Sequence, residues 1–297
     1  MITIRPLASL SDFAQTEDIQ RAVWIGAETQ IVPGELMSVI AASGGAVIGA
    51  FDGDRLVGFV FSFLGTDGGA ESQRPAMARL KHASHMLAVI DGYRGQDIGY
   101  RLKLAQRDLI SRQGVRLVTW TFDPLESKNA YLNIARLGAI CTVYKRNAYG
   151  DMRDALNTGL PSDRLIAEWW VTSPRVRQRL DGGRAALDLN AYLSAEAPIL
   201  NPSVVAPDDG LPRPPGTFKL PEGLFALIEI PRDFQALKSY DKDLALEWRM
   251  HTRDVFEAVF TEGFMMTDFF VETLEGRPRS FYALSPREAP GAMDDRA

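Results

Sequence analysis

The sequence predicts an α/β fold of three layers with a mostly antiparallel sheet over its N-terminal half, followed by an α+β C-terminal extension. Three observations carry that expectation. The segments up to about residue 144 read β-α-α-β-β-β-α-β-α-β. A Gly/Asp turn separates two apolar runs in the manner of a hairpin. A proline-rich stretch interrupts the last third. At 297 residues the chain can bury one large core or two smaller ones.

The elements follow in order. Ile2–Pro6 alternates and stops at proline, which predicts a strand. Ser11–Ala27 places Phe13, Ile19, Val23 and Trp24 at helical spacing, and Pro33–Ala42 predicts a second, shorter helix. Ala46–Phe51 and Leu56–Leu64 flank Asp52-Gly53-Asp54 and form the hairpin. Residues 65–81 read as a polar loop with the cations Arg74, Arg79 and Lys81. Ser84–Ile90 is the next strand, with His82 before it at a strand edge. A helix carries Ile98, Leu102, Ala105 and Leu109 on one face and ends at Gly114. Val115–Thr121 is a strand, Leu125–Leu137 a helix closed by Gly138, and Ala139–Tyr144 a strand.

Residues 147–163 read as irregular and Arg164–Val171 as a further strand. Seven prolines then fall between residues 198 and 221, which excludes helix and central strand there. Beyond them come a strand at Leu224–Ile230, a long helix at Asp241–Phe260, and a final pair of strands at Phe264–Glu272 and Ser280–Leu284. The tail from Pro286 reads as frayed. The expected division is residues 1–175, a linker or arm at 176–221, and a C-terminal region at 222–297.

The net charge of −5 speaks against a nucleic-acid binder, which shows a basic face. One cysteine, Cys141, excludes an internal disulfide and a cysteine-based zinc site, and three scattered histidines offer no metal spacing. No metal cofactor is expected. No stretch reaches the roughly 20 apolar residues of a membrane span. A cytoplasmic setting without membrane partners is the expectation.

The chemistry concentrates in one turn. A strand, Leu87-Ala88-Val89, runs into Asp91-Gly92-Tyr93-Arg94-Gly95-Gln96-Asp97-Ile98-Gly99 and then into a helix. Unsatisfied amides and the helix dipole make such a junction a phosphate site, and glycines let the backbone approach. No Gly-Lys-Ser/Thr follows, and the turn lacks the spacing of a dinucleotide fold.

On these residues the chain resembles the GNAT superfamily of N-acyltransferases, whose turn is written "V-x-P-x-Y-R-G-x-G-I-G". Here the string is Val89-Ile90-Asp91-Gly92-Tyr93-Arg94-Gly95-Gln96-Asp97-Ile98-Gly99. Ala130 through Leu137-Gly138-Ala139 is similar to the family's helix end. The longer string from Ser84, with Trp120–Leu125 and Asn129, looks like a two-part subgroup, some members of which use succinyl-CoA. The resemblance implies an α/β/α acyl-CoA N-acyltransferase fold over the N-terminal half. It implies acetyl-CoA or another acyl-CoA as co-substrate and a small amine or amino acid as acceptor.

The same resemblance assigns cofactor contacts to Leu87, Ala88, Val89, Arg94, Gly95, Gln96, Asp97, Ile98, Gly99 and Tyr100, with the Val89 amide as an oxyanion donor, and Asn129 reads either as a contact to the pantetheine arm or as a polar residue at the helix start. Two departures stand out. Asp97 replaces the middle glycine, either pointing to solvent or capping the helix. A carboxylate about 8 Å from a phosphate charge costs roughly 0.5 kcal/mol in water and about 2 kcal/mol at an effective dielectric of 20. Ile134 stands where the family carries a tyrosine.

An acceptor ammonium must lose a proton, and His85 is the candidate base. Strict alternation places it on the sheet face of Val89, four residues on. Tyr144, then Tyr131, are candidates to protonate the thiolate; each also reads as a packed aromatic. Asp123 reads as a turn former or an amine ligand. The C-terminal half would cover the acceptor pocket or build a homodimer.

Overall fold

The computed structural model describes residues 1–26, 28–68, 73–150, 158–182 and 187–287. The chain divides into two compact units. Among the described residues the first holds Met1–Trp120 and Trp170–Thr172, and the second holds the others.

In the first unit, β1 (Ile2–Pro6) leads to α1 (Leu10–Val23), which Ser9 and Asp12 open as a reciprocal capping box. Then come α2 (Gly34–Ala42), β2 (Ala46–Asp52), β3 (Arg55–Thr66), β4 (Leu80–Val89), α3 (Ile98–Arg112) and β5 (Leu117–Phe122). The strands neighbour one another in the order β1-β2-β3-β4-β5. All pairs are antiparallel except β4 with β5, which is parallel. One face packs on α1 and α2 through Phe13, Ile19, Met37, Phe59, Phe61 and Ala88. The other packs on α3 through Val57, Val60, Ile98 and Leu102. The layers therefore follow the apolar stripes of three helices and the two-residue period of the strands.

The second unit adds α4 (Ser127–Ala130), which continues as a π-helical turn over Tyr131–Arg136 where an unbroken helix was expected. After it come β6 (Ile140–Lys145), β7 (Arg164–Trp170), α5 (Pro174–Leu180) and α6 (Leu189–Ser194). The chain goes on through β8 (Val204–Val205), β9 (Pro212–Arg213), β10 (Ala226–Ile230), α7 (Phe234–Tyr240), α8 (Lys242–Thr261), β11 (Phe264–Leu274) and β12 (Arg277–Pro286). Its strand order is β7-β6-β11-β12-β10. Asp241 caps α8 through the Leu244 amide.

The proline-rich segment is an arm laid on β10. Leu227 and Leu200 exchange backbone bonds with Pro198 and Leu227, at 2.8 Å each. Ser203 donates to Glu229 Oε1 at 2.7 Å, and Asn201 brackets the Glu229 backbone. Trp248 Nε1 donates to Pro212 O at 2.8 Å. Prolines without N–H groups leave such a segment to be held by side chains and by its few remaining amides.

Two expectations fail for one reason. β4 begins at Leu80 rather than Ser84, and His82 is fully buried inside the sheet, not at an edge. Polar Lys81 reads as loop and His82 as a strand edge, yet they pair with Gly65 and Leu64 on β3 and with Leu117 and Val118 on β5. Residues 151–157 of the expected irregular stretch, and the tail from 288, lie outside the described residues.

Candidate functional site

The turn after β4 is built as the sequence suggested, with one twist. Gly95 has φ 79° and Asp97 has φ 57°. Both are left-handed, a region an L-residue enters at a cost, with Asp and Asn among the least penalised. The position explains why a glycine suits residue 97 and why aspartate is a tolerated substitute. Asp97 makes no side-chain capping bond, so the capping alternative fails: its left-handed backbone departs from the extended geometry of an ordinary N-cap.

Arg101 N–H to Asp97 O, 3.0 Å, is the first rung of α3. The amides of Ile98, Gly99 and Tyr100 therefore precede the helical ladder, at the positive end of the dipole. Around them there is room. A Cβ on Gly95 or Gly92 would meet nothing within 4 Å, and one on Gly99 only Leu87 Cδ2 at 3.8 Å. Gln96 Nε2 reaches back to Gly92 O at 3.4 Å. Arg94 ties the turn to the strand: its Nε donates to Val89 O at 3.0 Å, and it pairs with Asp91 at 2.5 Å.

The end of β4 exposes backbone on one side. Ile90 N–H donates to Val57 O across the Gly58↔Val89 pair. That pair is therefore a non-hydrogen-bonded one, and the Val89 N–H and C=O turn away from β3. Two residues earlier, Leu87 has the same orientation, while the Ala88 backbone is spent on β3 at Phe59. On the far side the register between β4 and β5 covers three pairs and ends at Ala83↔Thr119. Leu87 and Val89 thus present main-chain groups beyond the point where β5 stops pairing.

His85 is a β-bulge. Phe61 pairs with Met86 and Ser62 with Ser84, so His85 is the extra residue. The bulge overturns the alternation argument. Leu87 and Val89 lie on the α3 face, whereas His85 meets Phe61 and Phe63 on the α1/α2 face, at 5.9 and 6.3 Å between ring centroids. The residue is exposed overall, and the partial desolvation of its ring lowers the imidazole pKa below the ordinary value. At neutral pH the ring is uncharged and can accept a proton.

Beside the site, a polar group inside the α3 layer escaped sequence reasoning. Lys103 is buried, with Nζ donating to Gln106 Oε1 at 2.7 Å and to Ser84 Oγ at 3.3 Å. Its ammonium lies 3.8 Å from the centroid of the Trp120 ring. Burial pushes its pKa well below the lysine value. The available signal was Gln106, which falls in the core slot four residues after Leu102. His82 is clamped nearby. Gln113 Nε2 donates to Gly44 O, so its Oε1 accepts from His82 Nε2 at 2.8 Å, and His82 Nδ1 accepts from Ser62 Oγ at 3.1 Å.

No protein-family model matches the chain, and no curated protein matches it. Solved structures do. The likeness is to GNAT-family acetyltransferases. The ribosomal-protein-S18-alanine N-acetyltransferase from Escherichia coli aligns at 16% identity, over 58% of this chain and 94% of its own, with a TM-score of 0.43. Aminoglycoside 6'-acetyltransferase type Ii aligns at 17%, over 57% and 97%, with 0.42. Arabidopsis thaliana NAA60, solved with acetyl-CoA, aligns at 17%, over 57% and 99%, with 0.45.

Most of the remaining candidates belong to the second unit. Tyr144 donates its hydroxyl to Asp163 at 2.8 Å and stacks on Phe256. Burial first, and then the Asp163 charge, raise its pKa far above the tyrosine value. Tyr131 is exposed, Ile134 is buried, and Asn129 is exposed on α4. Asp123 is a turn former, accepting from the Leu125 amide at 2.9 Å, and it also pairs with Arg249. The loop cations serve their own loop: Arg79 binds Arg74 O, Asp67 O and Gly68 O, and Lys81 pairs with Asp67. Cys141 is buried with a raised pKa, in keeping with an inert thiol. Among the described residues no cluster of three His, Cys, Asp or Glu forms a metal site, and no helix is long and apolar enough to cross a membrane.

Proposed function

We propose that this protein is an acyl-CoA-dependent N-acyltransferase that moves acetyl, or a larger acyl group such as succinyl, to a small amine or amino acid. One observation carries the proposal. The left-handed residues Gly95 and Asp97 open a glycine-lined cradle of helix-start amides directly after a strand whose Leu87 and Val89 amides face away from their partner strand. A pyrophosphate needs the first feature. A pantetheine arm, with two amides of its own, matches the second.

In this scheme the amides of Ile98, Gly99 and Tyr100 bind the pyrophosphate, and Gly95 and Gln96 shape the approach. Leu87 and Val89 bind the arm, with Val89 N–H donating to the thioester oxygen as it gains charge. His85 takes a proton from the acceptor ammonium. The neutral nitrogen attacks the carbonyl carbon, the C–S bond breaks, and the second proton shed by the acylated nitrogen neutralises the departing CoA thiolate. A thiol of pKa about 8.5 needs little help in leaving. The proton of Tyr144 is already held by Asp163, so no general acid is assigned.

Calorimetry with acetyl-CoA and succinyl-CoA tests the binding half, with Gly99→Trp filling the cradle. Absence of heat from the wild type ends the proposal. Thiol release across a panel of amines tests the chemistry. A second reading, a non-catalytic sensor of CoA esters, draws on buried Ile134 in the place of a tyrosine; it expects binding without thiol release.

A further inference from the structure

Two histidines stand three residues apart on β4 and differ in what holds them. His82 has both ring nitrogens engaged, Nε2 with Gln113 and Nδ1 with Ser62. His85 has no hydrogen-bond or ion-pair partner among the described residues. Its imidazole lies against two rings instead. Phe61 meets it edge-on, with 84° between the planes, and Phe63 lies tilted beside it at 57°. Both nitrogens of His85 are thus left for a group from outside the fold.

The two phenylalanines differ in turn. Phe61 is 2% exposed and belongs to the core, whereas Phe63, 6.0 Å from it, is 38% exposed. The cross-strand partner of Phe63 is Ala83, whose methyl group is too short to cover an aromatic ring. Ser84 turns to α3, where it meets Lys103 and Gln106, so Ala83 and His85 follow each other on the face of Phe63. An exposed apolar side chain is commonplace on a protein surface. This one adjoins an exposed imidazole whose nitrogens are unspent.

The reach of the base then selects what touches the ring. A base takes a proton from a group within about 3 Å of it. The Phe63 centroid lies 6.3 Å from that of His85. An aromatic group within two carbons of a nitrogen held there meets Phe63 at the roughly 4.5–7 Å between centroids that aromatic pairs prefer. No charge among the described residues shifts the His85 pKa, which desolvation lowers, so these surroundings favour an apolar substituent over a charged one.

We propose that Phe63 determines acceptor specificity, its ring forming the wall for an aromatic group carried within two carbons of the acceptor nitrogen. The preferred acceptors are aromatic primary amines. The inference deepens the transferase reading and rests on it for the role of His85.

The test gives the full-length protein phenethylamine or ethanolamine, two primary amines of similar basicity, with acetyl-CoA or succinyl-CoA, and follows thiol release. In the wild type kcat/KM for phenethylamine is expected to exceed that for ethanolamine about tenfold. Phe63→Ala should shrink the ratio to about threefold or less, chiefly through KM, and Phe63→Tyr, which keeps the ring, should preserve it. Binding is read separately from the His85 ring resonance, assigned by its loss in His85→Ala, with CoA present. Phenethylamine is expected to shift it saturably at about one tenth of the ethanolamine concentration. Equal kcat/KM for the two amines in the wild type, or a preference that Phe63→Ala leaves intact, overturns the inference and leaves the transferase reading standing. Absence of thiol release with either amine counts against that reading, and the ring resonance of the wild type then decides the inference. A response favouring phenethylamine supports the aromatic wall; an equal response, or none, overturns it.

Discussion

Ile90 donates its backbone N–H to Val57 O at 3.0 Å, and that bond leaves the neighbouring Val89 amide turned away from β3. Proline at position 89 therefore removes an N–H that β3 does not use. Val89→Pro is expected to keep the far-ultraviolet spectrum while kcat falls by about 10²- to 10³-fold, the scale of losing one oxyanion donor. Val89→Ala, which keeps the amide, should stay within a few-fold of wild type. Equal rates in the two variants would remove the amide from the reaction.

Asp97 occupies a left-handed position at φ 57°. Asp97→Gly relieves that conformation and is expected to stabilise the fold by about 1 kcal/mol, read from the urea midpoint. Removing a carboxylate next to the cradle should also tighten CoA binding a few-fold. Asp97→Val, β-branched at the same φ, should destabilise.

All three histidines have pKa values lowered by burial. For a base with a lowered folded pKa, the unfolded chain binds the proton first as pH drops. Stability is then retained above about 6.5 and lost on acidification below it. Urea midpoints between pH 7.5 and 5.5 should show this slope, and His82→Asn should flatten it while lowering stability throughout. A slope unchanged in that variant would mean that His82 protonates as easily in the fold as outside it.

His85 sits against Phe61 and Phe63 with a lowered pKa. The acidic limb of kcat/KM for amine acylation is expected below pH 6.5 in the wild type and absent in His85→Ala. The same limb in both proteins would exclude the imidazole as base.

Glu229 and Arg279 form a buried pair, 3% and 4% exposed, that also holds Ser203 of the proline arm. Glu229→Gln leaves Arg279 only the exposed Glu275 as an acidic partner among the described residues and should cost about 3 kcal/mol. Limited proteolysis near residues 203–213 should quicken with it. An unchanged cleavage rate would mean that the backbone bonds alone secure the arm.

Much of the first unit was legible because its signals are local. The Asp52-Gly53-Asp54 hairpin, the apolar stripe of α3 and the turn from Asp91 to Gly99 each declare themselves within a dozen residues. What stayed hidden depends on distant partners. Leu80 and Lys81 read as loop until β3 and β5 pair with this end of β4. Nothing near Lys103, Arg249 or Glu229 in the sequence points to their partners Trp120, Asp123 and Arg279. The short helices α5 and α7 carry too few turns for periodicity, and only their caps, Ser173 and Asp233, mark them. The contact boundary at Trp120 likewise precedes the change in composition, because prolines mark where the chain is extended rather than where contacts thin out.

The extra residue in β4 has a consequence for length variation. Every pair from Leu80 to Ser84 and from Met86 to Val89 is already in register with β3 without His85. Deleting that one codon would keep every other pair in register after Ser84 and Met86 close up, so the strand can gain or lose an imidazole as an insertion rather than by a substitution. A one-residue gap at this point between two related chains would be a change of chemistry, not of fold.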